Sequence, residues 1–381
     1  MDPNTQDIGD ITVGPEAGPG FDYIDTNEGL EAFVRGLGDA PGIPCAVDTE
    51  ADSLHCYEEK LCLIQLAVGM RVVIVDPLAI GKLEPLVEFF DRASVWMHGA
   101  DFDMRMLRRT FGRIPDRVYD TQVAARLLGH RKFGLANLVD AHFGVALPKG
   151  SQKADWGRRP LSDKMLDYAA NDVRFLLSMA ESLSDRLRDR GRWDWFIESC
   201  DAARESATHR REKNPDEIWR ISGWGKLERR GMAYLRALWF WRDGEAKRRD
   251  RPSFKIIGNE QLMRFSQELE AGKTIRLPDR FPPPPVRRFH AAVKEAAALA
   301  PDEWPTGPKR VRGKRDPDAE GRFDRLRKHR DEVAGELGLD GTLIASRNTM
   351  EVIAARGDEG VERLLSWQKN LLEPALSKLS E

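Results

Sequence analysis

Residues 43–50 of the chain have the sequence Ile-Pro-Cys-Ala-Val-Asp-Thr-Glu, and this stretch decides how the front of the chain folds. The mostly apolar run from Ile43 to Val47 predicts a buried strand, with Asp48 and Glu50 at its end. Side chains two residues apart in a strand point to the same face, so these carboxylates project together. Two like charges at the edge of a core repel each other unless a positive charge lies between them. A divalent metal is the first candidate for that charge, and a solvated turn is the alternative explanation of the pair.

The sequence on either side of this strand predicts an α/β sheet. Apolar runs at 61–67 and 71–76 predict two further strands, and a shorter run at 95–98 predicts a fourth. The second of these runs is β-branched from Val72 to Val75, which is typical of a strand buried on both faces. Strands followed by strand–helix alternation indicate a sheet with helices on both faces.

A third carboxylate follows the short strand. Asp103 lies at the predicted start of a helix, just after Gly99, and open α/β sheets bind ligands at such strand ends. A helix amino terminus also tolerates negative charge. The alternative is an ordinary helix cap, a part that either Asp101 or Asp103 could play.

A fourth carboxylate lies on a later helix. Asp120 is predicted to cap one helix, and Ser162 is predicted to cap a later helix, which carries Tyr168 and Asp172. Residues at i and i+4 share one helix face, so the phenol and the carboxylate could together hold a metal and a water. The alternative is an exposed helical aspartate beside a half-buried tyrosine.

Three stretches in this order resemble the DEDDy 3′-5′ exonucleases, and within them the RNase D family. The first is Ala46-Val-Asp-Thr-Glu50 with the following Lys60-Leu-Cys-Leu-Ile-Gln65, and the second is His98-Gly-Ala-Asp-Phe-Asp-Met104. The third is Asp155-Trp-Gly-Arg-Arg-Pro-Leu161 with Tyr168-Ala-Ala-Asn-Asp172. The resemblance implies Asp48, Glu50, Asp103, Tyr168 and Asp172 as the catalytic set.

The resemblance also implies the domain organisation. Residues 21–205 would form an α/β RNase H-like exonuclease domain, a mixed sheet with flanking helices. Residues 214–285 resemble an HRDC domain, and residues 286–381 resemble a second HRDC-like helical domain, so that all-α modules follow the sheet. The four prolines at 282–285 are predicted to form a stiff extended spacer or turn between the two.

The four acidic side chains suit phosphodiester hydrolysis with two divalent ions, which stabilise the attacking and the leaving oxygen. Oxygen ligands favour Mg²⁺ or Mn²⁺, and the candidate set has no His or Cys that would favour zinc. We expect Asp48 to bridge both ions, Glu50 and Asp172 to complete one of them, and Asp103 to hold the other. Tyr168, with an ordinary pKa of about 10, would orient the attacking water.

Three further residues are candidates for substrate binding. His98 either contacts the terminal nucleotide or is a half-buried histidine at the strand end. Arg158 and Arg159 either steady a substrate phosphate or form a solvated loop pair.

Composition indicates the cellular location of the protein and the charge of its partner. The 381 residues are too many for one compact core, and no apolar stretch approaches the roughly 20 residues that span a bilayer. Residues 1–20 are acidic and Gly/Pro-rich, which predicts a disordered tail and no signal peptide. The four cysteines show no CxxC spacing and are expected to be reduced thiols of a cytoplasmic protein. Basic runs at 247–249 and 309–315 indicate a polyanionic partner.

The expected function is therefore a metal-dependent 3′-5′ exoribonuclease. The resemblance implies a monomer that acts on RNA with a single-stranded 3′ end, releases nucleoside 5′-monophosphates, and processes tRNA precursors or other structured RNA. One alternative is a DNA exonuclease of the Werner type, which would use the same carboxylates. Another is a nucleic-acid-binding scaffold with an inactive nuclease domain, against which the complete acidic set argues.

Overall fold

The computed structural model divides the chain into two compact units. It describes residues 20–148, 150–209, 214–307 and 318–379. Among these, the first unit contains residues 20–51, 61–209 and 318–379, and the second contains 52–60 and 214–307. Two predictions fall wholly or largely outside the described residues: the disordered tail at 1–20 and the basic run at 309–315.

The first unit is built on a six-stranded mixed sheet. Its strands are β1 (Asp22–Ile24), β2 (Pro44–Ala51), β3 (Leu61–Val68), β4 (Arg71–Val75), β5 (Ser94–Met97) and β6 (Val118–Asp120). Their order across the sheet is β1-β4-β3-β2-β5-β6. Strand β3 is antiparallel to both β2 and β4, and all other neighbours are parallel. The predicted mixed sheet with flanking helices is confirmed.

Eight helices of residues 20–209 accompany this sheet. They are α1 (Asn27–Gly36), α2 (Glu84–Arg92), α3 (Asp101–Phe111), α4 (Thr121–Leu127), α5 (Leu135–Phe143), α6 (Asp163–Arg174), α7 (Leu176–Asp189) and α8 (Trp193–His209). Side chains alternate across β2, so that Val47 faces a core with α1, α2 and α3, whereas Ala46 faces a core with α4, α6 and α7. The sheet is thus covered on both faces, as predicted.

Side-chain caps fix where the helices of the site begin. Asp120 accepts a hydrogen bond from the backbone N–H of Gln122 at 2.8 Å and caps α4. Ser162 accepts one from the N–H of Met165 at 3.4 Å and caps α6. Both caps were predicted from the sequence, because short oxygen-bearing side chains satisfy the free N–H groups of a first helical turn.

The carboxy-terminal helices belong to the first unit. They are α13 (Ala319–Leu337), α14 (Gly341–Ile344), α15 (Arg347–Arg356), α16 (Asp358–Val361) and α17 (Ser366–Leu376). Trp367 stacks on Trp195 of α8 with ring centroids 5.0 Å apart, and the N–H groups of Ser366 and Trp367 donate to Glu198. Their buried side chains continue the core that Ala46 faces.

The second unit is helical and has its own core. Its helices are α9 (Arg229–Arg248), α10 (Ser253–Ile256), α11 (Asn259–Glu270) and α12 (Pro283–Ala298). Trp241 of α9 meets Phe289 of α12 edge-on, and Trp219 is also buried. Both segments beyond residue 214 were predicted to be HRDC-type domains. Their helical content agrees with this, and the assignment stays a prediction.

The predicted proline spacer is wrong. Pro283 to Pro285 form the first turn of α12 and do not extend the chain. Proline is tolerated there because the N–H that it lacks would have no helical partner in a first turn, and its fixed φ already suits a helix.

None of the described helices has the length and apolar character that crossing a bilayer requires.

Candidate active site

The carboxylates of Asp48 and Glu50 lie at the end of β2, on the sheet face that α6 covers. Each is half-buried, and the strand register is irregular just after Glu50. The strand pairing places Asp48 opposite Gln65 and Glu50 opposite Leu63 of β3. The sheet therefore holds both carboxylates rigidly and on one side, as the strand alternation predicted.

Helix α6 brings the other two predicted residues to this face. It packs on β2, β3 and β4 and carries Tyr168 and Asp172 one turn apart. The Tyr168 hydroxyl is close enough to the Asp172 carboxylate for each group to shift the pKa of the other. The ring of Tyr168 lies against that of Trp156, with centroids 6.1 Å apart. The phenol is thus fixed beside the acidic group.

Three carboxylates converge here. Oxygen atoms of Asp48, Glu50 and Asp172 all lie within 4.8 Å of one another. Burial, reinforced by the nearby charges of Asp172 and Asp103, raises the pKa of Glu50 to about 9. Burial also raises the pKa of Asp48 well above its ordinary value, reinforced by Asp103, Asp172 and Glu50. The three groups repel each other in a site partly shielded from water.

Asp103 joins the site from the first turn of α3. Its Oδ1 accepts hydrogen bonds from the Thr49 hydroxyl at 2.6 Å and from the Thr49 backbone N–H at 3.0 Å. Burial raises the pKa of Asp103 to about 6, and the bonds from Thr49 limit that rise. Asp101 is exposed and pairs with Arg105 at 3.3 Å, so the geometry favours Asp103 as the functional aspartate.

Thr49 was not predicted to have a role. It points away from Asp48 and Glu50 because neighbours in a strand face opposite sides. A signal existed in the sequence, since a threonine at the end of a strand predicted to be buried needs a hydrogen-bond partner. Nothing in the sequence pointed to an aspartate 54 positions away as that partner.

The donor set fits a divalent cation. Carboxylate oxygens are hard ligands of the kind that Mg²⁺ and Mn²⁺ prefer. A bound cation would also remove the repulsion that raises the pKa of Asp48, Glu50 and Asp172. The site therefore has both the chemistry and the electrostatics of a divalent-metal centre.

His98 lies at the end of β5 and is half-buried. Its Nδ1 is 2.9 Å from the Thr121 hydroxyl, which itself donates to the carbonyl of Met97. Burial lowers the pKa of His98, which favours the neutral ring. These contacts agree with the half-buried alternative, and a contact with the terminal nucleotide stays a prediction.

Arg159 makes a network of contacts inside the protein. Its guanidinium donates to both oxygens of Asp76, at 2.6 and 2.7 Å, and to the carbonyls of Cys62 and Trp156. Tyr23 donates to the same Asp76 carboxylate at 2.6 Å. This geometry favours a structural role, in which Arg159 anchors the loop that leads into α6. Its predicted contact with a substrate phosphate stays untested.

Arg158 differs from its neighbour. Its side chain is exposed, while its backbone N–H and carbonyl hold the same loop together. Arg158 therefore remains the better candidate of the two for a substrate phosphate.

Comparison with known proteins identifies relatives of this arrangement. The family described as 3′-5′ exonuclease matches residues 21–188. A ribonuclease D from Xanthomonas oryzae is 31% identical over 346 residues, covering 88% of this chain and 92% of that protein. A ribonuclease D from Cronobacter turicensis is 34% identical over 251 residues, covering 65% and 67% respectively. The crystal structure of Escherichia coli RNase D superposes with a TM-score of 0.73 over 94% of this chain and 98% of that one, at 24% identity.

Proposed function

The chain belongs to the ribonuclease D family and is a 3′-5′ exoribonuclease; we propose that it removes nucleotides one at a time as nucleoside 5′-monophosphates. Its substrates would be RNAs with a single-stranded 3′ end, such as tRNA precursors. The Escherichia coli relative is described as an exoribonuclease involved in structured RNA processing, which supports this choice of substrate. The observation that carries the proposal is the convergence of Asp48, Glu50 and Asp172 within 4.8 Å.

The acidic side chains would hold two divalent ions, Mg²⁺ or Mn²⁺. Asp48 would contact both ions. Glu50 and Asp172 would complete one ion site. Asp103 would hold the second with Oδ2, because Oδ1 is occupied by the two bonds from Thr49. When bound, the two ions stabilise the negative charge that develops on the attacking and leaving oxygens of the phosphodiester.

Tyr168 would orient the attacking water. Burial raises the pKa of its hydroxyl above the ordinary value, and the charges of Asp172, Glu50 and Asp48 raise it further. The phenol therefore stays protonated at physiological pH and acts as a hydrogen-bond donor. A positioning role follows, because a group that holds its proton so firmly is a poor general base.

The experiment is a comparison of substrates and metals. Purified protein is incubated with 3′-labelled single-stranded RNA and DNA in Mg²⁺, in Mn²⁺ and in EDTA. We expect labelled mononucleotide from RNA in either metal and none in EDTA. Faster loss of DNA would favour the Werner-type activity, and no metal-dependent release from either substrate would favour the scaffold. Asp48→Asn serves as the inactive control in each arm.

A further inference from the structure

Gln65 is a buried polar residue on β3 for which the fold supplies no hydrogen bond. Its side chain is 0% exposed. Neither Nε2 nor Oε1 has a hydrogen-bond partner among the described residues. A buried carboxamide without a partner destabilises a fold, because it gives up its bonds to water and gains none in return. A leucine at this position would pack like its neighbours Leu63 and Leu66. Packing therefore does not explain why the position is a glutamine.

The position of Gln65 relates it to the acidic site. In the antiparallel register of β2 and β3, Gln65 is directly opposite Asp48. Opposed residues of an antiparallel pair put their side chains on the same face, with Cβ atoms about 4.5–5.5 Å apart. Helix α6, which carries Tyr168 and Asp172, covers this face of both strands. The amide therefore lies beside Asp48 on the face that α6 covers.

The other neighbours of Gln65 within the sheet on this face are apolar. Leu63 and Ala67 flank it along β3, and Ile74 is opposite it on β4. Among these cross-strand and same-face neighbours, Asp48 is the one with an acceptor. An amide N–H donating to an ionised carboxylate forms one of the stronger classes of hydrogen bond, because the acceptor is charged.

We propose that Gln65 is a positioning residue for the metal site. Its Nε2 donates to the Asp48 carboxylate in the metal-loaded protein and fixes the orientation in which Asp48 holds a cation. The inference rests on the proposed function, since it assigns a partner to the carboxylate at the centre of the proposed ion sites. Groups that orient a metal ligand in this way typically change metal affinity about 10- to 100-fold when they are removed.

The test is Gln65→Met, which keeps the length and unbranched shape of the side chain but removes the amide. Binding of Mn²⁺ to the RNA-free protein is measured by calorimetry and by the electron paramagnetic resonance signal of free Mn²⁺. We expect the affinity to fall about 10-fold. We also expect the thermal unfolding midpoint in EDTA to equal or exceed that of the wild type, because an unpaired polar group has been removed.

Ile64→Met is the matched control. Ile64 precedes Gln65 on the same strand, is also 0% exposed and faces the opposite core. We expect this variant to bind Mn²⁺ as the wild type does. If Gln65→Met fails to fold, Gln65→Leu replaces it and the same titration decides.

The outcomes separate this inference from the proposed function. A Gln65 variant that binds Mn²⁺ with wild-type affinity overturns the positioning role, whatever its nuclease activity. A wild-type protein that binds Mn²⁺ but leaves RNA intact contradicts the proposed function alone, and the Gln65 titration still stands. A wild-type protein that binds no Mn²⁺ overturns both.

Discussion

Two acidic sites of the first unit are shielded from water, and among the described residues only the Asp76 site has a basic partner. Asp76 is 2% exposed and accepts three side-chain hydrogen bonds, two from Arg159 and one from Tyr23. Burial on its own would raise its pKa, but the bonds from Arg159 and Tyr23 bring the pKa below the ordinary value. Asp76 is therefore a stable anion with a counter-charge built into the fold.

The carboxylates of Asp48, Glu50 and Asp172 are the opposite case. Each has a raised pKa for which burial is the leading cause, and neighbouring acidic groups strengthen it. The contrast with Asp76 indicates the purpose of each group. Asp76, which stabilises the fold, is paired with an arginine. Asp48, Glu50 and Asp172 lie together without a basic partner among the described residues, as expected of groups that bind an external cation.

The largest effect is expected from Asp48→Asn. Removing this charge should lower the rate of RNA hydrolysis about 1000-fold or more, because charge stabilisation in the transition state is lost. The same change should raise the thermal midpoint of the metal-free protein, because a repelling charge is removed. Steady-state hydrolysis of 3′-labelled RNA and thermal unfolding in EDTA measure the two effects.

Asp101→Asn is the control for that prediction. Asp101 is an exposed carboxylate on the same α3 turn as Asp103, and we expect near wild-type hydrolysis from this variant. An Asp48→Asn protein that retains wild-type activity would contradict the assignment of the site.

Arg159→Met tests the other side of the comparison. It leaves Asp76 buried without its counter-charge, and breaking such a pair from one side costs about 3 kcal/mol. Urea unfolding should show this loss in the single variant. The double variant with Asp76→Asn should recover part of it, since the stranded charge is gone. Equal destabilisation of the single and the double variant would show that Arg159 acts through its carbonyl contacts instead.

The two regions should also respond to pH in opposite directions. Glu50, Asp172 and Asp103 have pKa values of about 9, 7 and 6 in the folded protein, above those of the unfolded chain. The folded state then holds more protons than the unfolded state between about pH 4 and 9, so the stability of the metal-free protein falls as pH rises through that range. Asp76, with its lowered pKa, contributes stability that is lost only as pH falls below about 4.

Thermal unfolding in EDTA from pH 5 to 9 measures the first of these slopes. Saturating Mg²⁺ should make the slope shallower, because ion binding favours the ionised carboxylates in the folded state. A metal-free protein whose stability rises with pH over this range would contradict the account of the cluster.

The sequence was most informative where the structure depends on local pattern. The strands β2, β3 and β4 could be predicted because each is a short apolar run bounded by turn residues, and the caps Asp120 and Ser162 because capping is decided within one helical turn. The acidic set came from four such local signals combined with a family resemblance. None of the four was decisive by itself.

Contacts between residues that are far apart in the chain could not be predicted from the sequence. Asp76 and Arg159 are 83 positions apart, and no periodicity links them. The packing of Trp367 on Trp195 likewise places the carboxy-terminal helices in the core of the first unit, a grouping that helical pattern cannot reveal. Partners of this kind depend on how the elements pack, which is where patterns of period 2 or 3.6 stop being informative.

The smallest effect is expected from Thr49→Val, which removes a hydrogen bond to Asp103 of the acidic site but no charge. The variant loses the 2.6 Å hydroxyl bond to Asp103 but keeps the 3.0 Å backbone bond, so Asp103 should stay near its position with more freedom. We expect Mn²⁺ affinity and the rate of hydrolysis to fall about 10-fold. The free energy of unfolding should fall by about 1 kcal/mol, the usual value of one hydrogen bond. Thr121→Val is the matched control, since Thr121 is equally buried and bonds to Met97 and His98 instead. It should lose similar stability with little change in Mn²⁺ affinity. If both threonine variants weaken Mn²⁺ binding equally, the bond from Thr49 has no special part in holding Asp103 for the cation.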